Sequence, residues 1–229
     1  RPDLGPFAEL DEPTHQRILA RLPFQPTPDQ TAAIDALRTD LSSAGRMLRL
    51  LQGDVGTGKT LVAFYAMLAV AEAGGQAALL APTEILARQH FGKLKPLLRS
   101  TPRTLSLLVG SMTPLEKSKR AGRLQTGTTD LVVGTHALLE PSVAFRRLQL
   151  VVVDEQHKFG VLQRQRLVEK GVDGQPHVLV MTATPIPRTL ALTMYGDLDV
   201  TVLRGRPPGR APITTRVIPS LPDPVGPET

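Results

Sequence analysis

Short apolar runs recur along the chain, each followed by a glycine-rich or polar break and then by a longer amphipathic stretch. The runs are LRLLQ at 48–52, QAALLA at 76–81, TLSLLV at 104–109, LVV at 131–133, LQLVVV at 148–153, HVLVM at 177–181 and DVTVL at 199–203. Most are continuous rather than alternating, which predicts strands buried on both faces. The stretches between them predict helices over 29–41, 59–72, 83–98, 114–124, 161–170 and 187–195, with a shorter one over 14–21. In the first of these, Ala32, Ile34, Leu37 and Leu41 lie near helical spacing, and Thr83 is the expected N-cap of the third. Strands alternating with helices predict an α/β fold, a doubly wound and mostly parallel sheet with helices on both faces.

The ends of the chain break this rhythm. Residues 1–22 are polar and proline-punctuated and are expected to be an N-terminal extension; 205–229, with RPPGRAP and PSLPDPVGPET, are expected to be a linker or tail. The repeating part, 23–204, is expected to be one domain, and no internal repeat is visible in it.

Composition narrows the partners. Hydrophobic residues make up 41% of the 229, enough for a substantial core. Cysteine is absent, which excludes disulfides and cysteine-held zinc and fits a reducing, cytoplasmic compartment. Arg46, Gly53 and Glu72 interrupt the candidate membrane-spanning runs. The first residue is Arg1 and no signal-peptide pattern follows, so the chain is expected to be a piece of something longer. A net charge of +6 and a pI of about 10.1 favour a polyanionic partner, nucleic acid first. With no tryptophan and 3% aromatics, contact through phosphates is expected rather than base stacking.

The break after the first strand carries chemistry. GDVGTGKT matches G-x-x-x-x-G-K-[ST], with Gly53, Gly58, Lys59 and Thr60 on the fixed positions and Val55, Gly56 and Thr57 completing the loop. Convergent backbone N–H groups and a helix N-terminus suit a triphosphate. Lys59 is expected on the β/γ-phosphates and Thr60 on magnesium. An ordinary strand-to-helix turn also uses glycines, but the Gly-Lys-Thr ending argues against it. After LQLVVV comes DEQH, where Asp154 is expected to hold the same Mg2+ through water and Glu155 to orient the attacking water. Gly53, Pro82, Gly134, Asp154 and Thr182 all follow predicted strand ends, the edge at which such folds bind ligands. A small-molecule kinase would need acceptor and lid residues. A GTPase would need N-K-x-D, which is absent.

In order and spacing, LLQGDVGTGKT, APTEILARQH, VVGTHALL, VVVDEQHKFGVLQR and MTATPIPRTLA resemble the first, RecA-like motor lobe of superfamily 2 helicases. Their wording is similar to the branch of bacterial ATP-dependent DNA translocases that reverse stalled replication forks. The related transcription-repair coupling factor usually has a second Glu where Gln156 stands, and its motor lobe remains an alternative. An isolated nucleotide- or DNA-binding module remains another. The resemblance implies ATP and Mg2+ as cofactors and branched DNA as partner, in fork reversal, Holliday junction processing, repair and recombination. It also implies a monomer with a second lobe supplying an arginine finger and a wedge domain, neither of which this stretch resembles. A lobe without them is expected to hydrolyse ATP barely above background.

Residue by residue, the resemblance puts Gln30 on the adenine with Phe24 near the base. The usual Leu-Thr-x-x-Gln is replaced by Pro26-Thr27-Pro28-Asp29-Gln30. Pro82, Thr83 and Arg88, then Gly134, Thr135 and His136, fall in motifs that touch the DNA strand. Gln156, His157, Thr182 and Thr184 fall where nucleotide state is coupled to DNA grip. His136 stands between helix-cap duty and a phosphate contact. The cluster Lys117, Lys119, Arg120 and Arg123 reads as a solvated helix face. Gln163, Arg164 and Arg166 are candidates for DNA or interdomain contacts. His157 has no His or Cys partner at metal-ligand spacing, which argues against metal ligation there.

Overall fold

The computed structural model describes residues 10–23, 25–43, 45–99, 101–154, 166–171, 176–184 and 198–205. All seven expected strands are present: β1 (Leu48–Gly53), β2 (Gln76–Leu80), β3 (Leu105–Leu108), β4 (Leu131–Gly134), β5 (Leu148–Asp154), β6 (His177–Thr182) and β7 (Asp199–Leu203). They form one sheet in the order β3-β4-β2-β5-β6-β1-β7, and every pairing is parallel. β2, β4, β5 and β6 are buried along their whole length, as continuous apolar runs require when helices cover both faces.

The helices are α1 (Glu12–Leu19), α2 (Pro28–Ser42), α3 (Lys59–Glu72), α4 (Glu84–Leu97) and α5 (Pro114–Gln125), with a 3-10 turn at His136–Leu139. α3 is apolar all round and buried from Leu61 to Ala71. It lies between the sheet and a layer formed by α1 and α2. His15 Nδ1 meets the Tyr65 hydroxyl at 2.7 Å, and Arg21 and Arg103 pair with Glu72 at 3.0 and 3.3 Å. α2 is tied to the sheet by the Asp40–Arg49 pair at 2.6 Å. The Asp29 carboxylate accepts from the backbone N–H groups of Arg204 and Gly205, both at 2.8 Å, and those bonds hold its pKa below the usual carboxylate range. A second apolar cluster, with Leu80, Val132, Val151 and Val153, packs α5 and the 3-10 turn on the sheet.

Three expectations change. α2 begins at Pro28, where a prolyl ring suits the first helical turn. Thr27 caps it in a reciprocal capping box with Gln30, so the altered motif wording builds a regular helix start. Its buried stripe is Gln30, Ala33, Ile34, Leu37 and Leu41, and Ala32 faces out. The basic cluster on α5 is not a purely solvated face: Lys117 pairs with Glu140 at 3.3 Å and Arg120 donates to the carbonyl of Leu107. Of the two later helices, 187–195 and the first half of the other, 161–165, lie outside the described residues; 166–168 are helical.

Candidate functional site

β1, β6 and β5 lie side by side, and their carboxyl ends converge. Register places Gln52 opposite Thr182 and Met181 opposite Asp154, so the loop after β1 and the acid ending β5 flank the end of β6. The loop turns through Gly56 (φ 88°) and Gly58 (φ 89°), a region costly for a side chain. Gly58 is also hemmed in, since a Cβ there would lie 2.2 Å from Gln30 Nε2. A Cβ on Gly53 would meet the backbone oxygen of Leu203 at 2.8 Å. α3 starts on Gly58 with no side-chain cap, whereas α1, α2, α4 and α5 each have one. Glycine at the cap position therefore supplies no side-chain acceptor to the first turn of α3.

The Lys59 ammonium lies back on its own loop, donating to the carbonyls of Gly53 (2.5 Å) and Asp54 (3.0 Å). A cavity of about 540 Å³ opens beside it, lined by Gly56, Gly58, Lys59, Thr60, His90 and Asp154, among others. Val55 stands at its exposed rim, while Thr57 is buried with its hydroxyl donating to the Asp54 carbonyl at 3.0 Å. Gln30 is fully buried: Nε2 donates to the Thr57 carbonyl at 2.7 Å, and Oε1 accepts from Thr27 N–H at 3.0 Å. One end of the side chain thus braces the loop while the other closes the start of α2. Asp154 is buried, and its Oδ2 takes a 2.6 Å bond from His90 Nε2. Thr182 and Thr184 join through their hydroxyls at 2.9 Å.

The ends of β2, β3 and β4 form the other half of this edge. Thr83 is exposed and caps α4, its hydroxyl accepting from Leu86 N–H. Pro82, just before it, is half-buried. Arg88 is exposed and paired with Glu84 at 2.7 Å, and both reach Ser111. The bonds from Ser111 and Arg88 hold the Glu84 carboxyl below its ordinary pKa. Gly134 and Thr135 are buried; a Cβ on Gly134 would lie 2.4 Å from the Leu108 carbonyl, so glycine there serves close packing. His136 is exposed at the start of the 3-10 turn, beside Gly110. Thr135, not His136, occupies the cap position, so cap duty does not account for His136.

The DEAD/DEAH box helicase family matches residues 27–193. The chain belongs to this helicase family. Among curated relatives, the ATP-dependent DNA helicase RecG of Aquifex aeolicus is 46% identical over 213 residues, covering 93% of this chain and 27% of the relative. RecG of Acidithiobacillus ferridurans is 51% identical over 204 residues, with 89% and 30% covered. A solved structure of RecG bound to a three-way DNA junction is similar with a TM-score of 0.76 and 42% identity, over 90% of this chain and 27% of that one. The chain thus spans under a third of these relatives. A DEAD box protein from Methanococcus jannaschii, at 17% identity and a TM-score of 0.62, shares the fold.

Within this helicase lobe, Phe24, Glu155, Gln156 and His157 lie outside the described residues. Three others at the edge were not singled out from the sequence. Ser111 follows β3 in a break, GSMT, with no distinguishing signal. His90 and Lys93 line the cavity from α4. His90 had a signal: it falls on the same helical stripe as Ala87, Leu94 and Leu98, which places a polar ring in the core.

Proposed function

We propose that this lobe binds ATP with Mg2+ and works as the first motor lobe of a DNA translocase acting on branched DNA, with residues 23–204 as the working unit, 1–22 an extension and 205–229 a tail. The observation that carries the reading is the shared cavity, which gathers the glycine loop with Lys59 and Thr60, and Asp154 from the end of β5, two segments far apart in the chain. The residues fit the ligand. Loop glycines leave room for phosphate oxygens, and the uncapped start of α3 offers N–H donors. Among the described residues no group of three His, Cys, Asp or Glu could cage a metal. Magnesium suits such a site, because it takes few protein oxygens and completes its shell with phosphates and water. When bound, it neutralises charge on the phosphates.

Lys59 would leave the carbonyls of Gly53 and Asp54 for the β/γ-phosphates. Thr60 would present its hydroxyl to the metal and Asp154 would hold a metal-bound water. Glu155 would orient the attacking water. Gln30 would keep the loop in shape and meet the adenine, with Phe24 and the loop's Val55 and Thr57 around the nucleotide. Thr83, Arg88 and His136 would meet DNA phosphates, with Pro82, Gly134 and Thr135 shaping their loops. Thr182, Thr184, Gln156 and His157 would link the two halves. Two supports favour branched DNA over the coupling-factor alternative: the RecG relatives, and the RecG structure with its three-way junction.

The test is titration of the chain with a fluorescent ATP analogue and Mg2+. Lys59→Ala is expected to weaken binding tenfold or more, on the order of 1.4 kcal/mol, with an unchanged melting temperature. Glu155→Gln is expected to bind as the parent does, and to stop turnover in a protein carrying both motor lobes. Undiminished binding by Lys59→Ala would overturn the reading.

A further inference from the structure

The cavity wall opposite the glycine loop is helix α4, and one of its residues reaches Asp154. His90 is 7% exposed, and its Nε2 lies 2.6 Å from Asp154 Oδ2, across 64 residues of sequence. Nδ1 of the same ring is buried with no hydrogen-bond partner among the described residues. A half-satisfied imidazole on an apolar helical stripe is a poor way to stabilise a core. Among the described residues, the ring's one polar engagement is with the carboxylate.

We propose that His90 is a positioning residue for the magnesium site: its Nε2–H holds Asp154 in one rotamer and leaves Oδ1 as the oxygen for a metal-bound water. This rests on the reading of Asp154 as the magnesium-holding acid. A carboxylate free to rotate holds a metal-bound water less well, and outer-shell partners that fix such groups are worth about 10–100-fold in metal binding. The geometry also explains why the histidine sits on α4. In the sheet order β3-β4-β2-β5-β6-β1-β7, the nucleotide half and the half bearing Thr83, Arg88, Ser111 and His136 meet at the β2/β5 seam. α4 begins at the end of β2, and His90 crosses that seam to the end of β5. Arg88 and His90 are two residues apart, one exposed and one buried, so a shift of α4 at the outer face moves the ring that holds Asp154.

The test uses the whole 229-residue chain. Binding of a fluorescent ATP analogue is measured in EDTA and across a magnesium titration, for the parent, His90→Phe, His90→Gln and Asp154→Asn. Phe keeps the ring volume without a donor, and Gln carries an N–H donor near the Nε2 position. Expected for His90→Phe is a magnesium requirement raised about tenfold or more, with unchanged affinity in EDTA. His90→Gln is expected to return within about threefold of the parent, which a merely packing role would not produce. A parental magnesium requirement in His90→Phe overturns the proposal, as does equal impairment of Phe and Gln variants. Should the Phe variant lose its thermal transition, His90→Leu replaces it under the same criteria. A parental magnesium requirement in Asp154→Asn would instead sink the reading of Asp154, and a parent that binds no nucleotide would sink the proposed function itself.

Discussion

Two buried polar side chains, Gln30 and His177, carry much of the residue-scale logic. Gln30 lies on the apolar stripe of α2, and its amide spans from Thr27 to the Thr57 carbonyl. Gln30→Leu keeps the volume but strands both backbone groups, and is expected to cost about 1–3 kcal/mol in denaturant unfolding. It is also expected to weaken nucleotide binding; a variant as stable and as tight as the parent would refute the bracing role. His177, at the start of β6, is fully buried, and its Nδ1 accepts from Met47 N–H at 2.9 Å. Burial, then the nearby Arg46 charge, pushes its pKa down to about 4 from the ordinary histidine value of 6.5. The unfolded chain therefore takes up this proton first on acidification. Stability is fully present above about pH 6.5 and falls as pH drops toward 4. The loss amounts to roughly 3 kcal/mol at the bottom of that window. Melting curves from pH 7 to 4.5 are expected to show this slope, flattened in His177→Phe. An equal slope in both would assign it to other groups.

At the scale of elements, α4 does the most. Thr83 caps its start, and Thr83→Ala is expected to cost about 1 kcal/mol of stability, measured by denaturant unfolding. Arg88 is different. Its pair with Glu84 is exposed, and such pairs contribute about 0–1 kcal/mol, so a phosphate can compete for the guanidinium at little cost. Arg88→Ala is expected to leave the melting temperature nearly unchanged while lowering DNA affinity. The opposite pattern would make Arg88 structural. The elements were largely legible beforehand, because continuous apolar runs and the spacing of α3 and α5 fix strand and helix locally. α2 was misplaced by one face at Ala32, since helical spacing alone does not say which of two adjacent alanines meets the sheet.

For the whole molecule, the proposed function divides between the two halves of the sheet. Exposed groups beyond β2, β3 and β4 are Thr83, Arg88 and His136, with few aromatics nearby. Together with the net charge of +6, they predict binding to DNA phosphates rather than bases. Affinity is expected to be weak, indifferent to base sequence, and to fall steeply and log-linearly with salt. A salt-independent affinity, or one that changes with base sequence at fixed structure, would contradict this picture.

Sequence by itself determined the strand and helix order, the phosphate-type loop and the acid after β5, because each is written in a contiguous run whose period or spacing carries physical meaning. Tertiary structure decided what contiguous spacing cannot encode. Only the sheet order brings the ends of β1, β5 and β6 together around one cavity. Only packing shows that Gly134 and Thr135 are buried while Arg88 and His136 are exposed. The bond between His90 and Asp154 joins residues 64 apart in the chain, and no local pattern announces it. Its sole trace in the sequence is a polar residue on an apolar helical stripe, whose partner appears only once α4 is laid against β5.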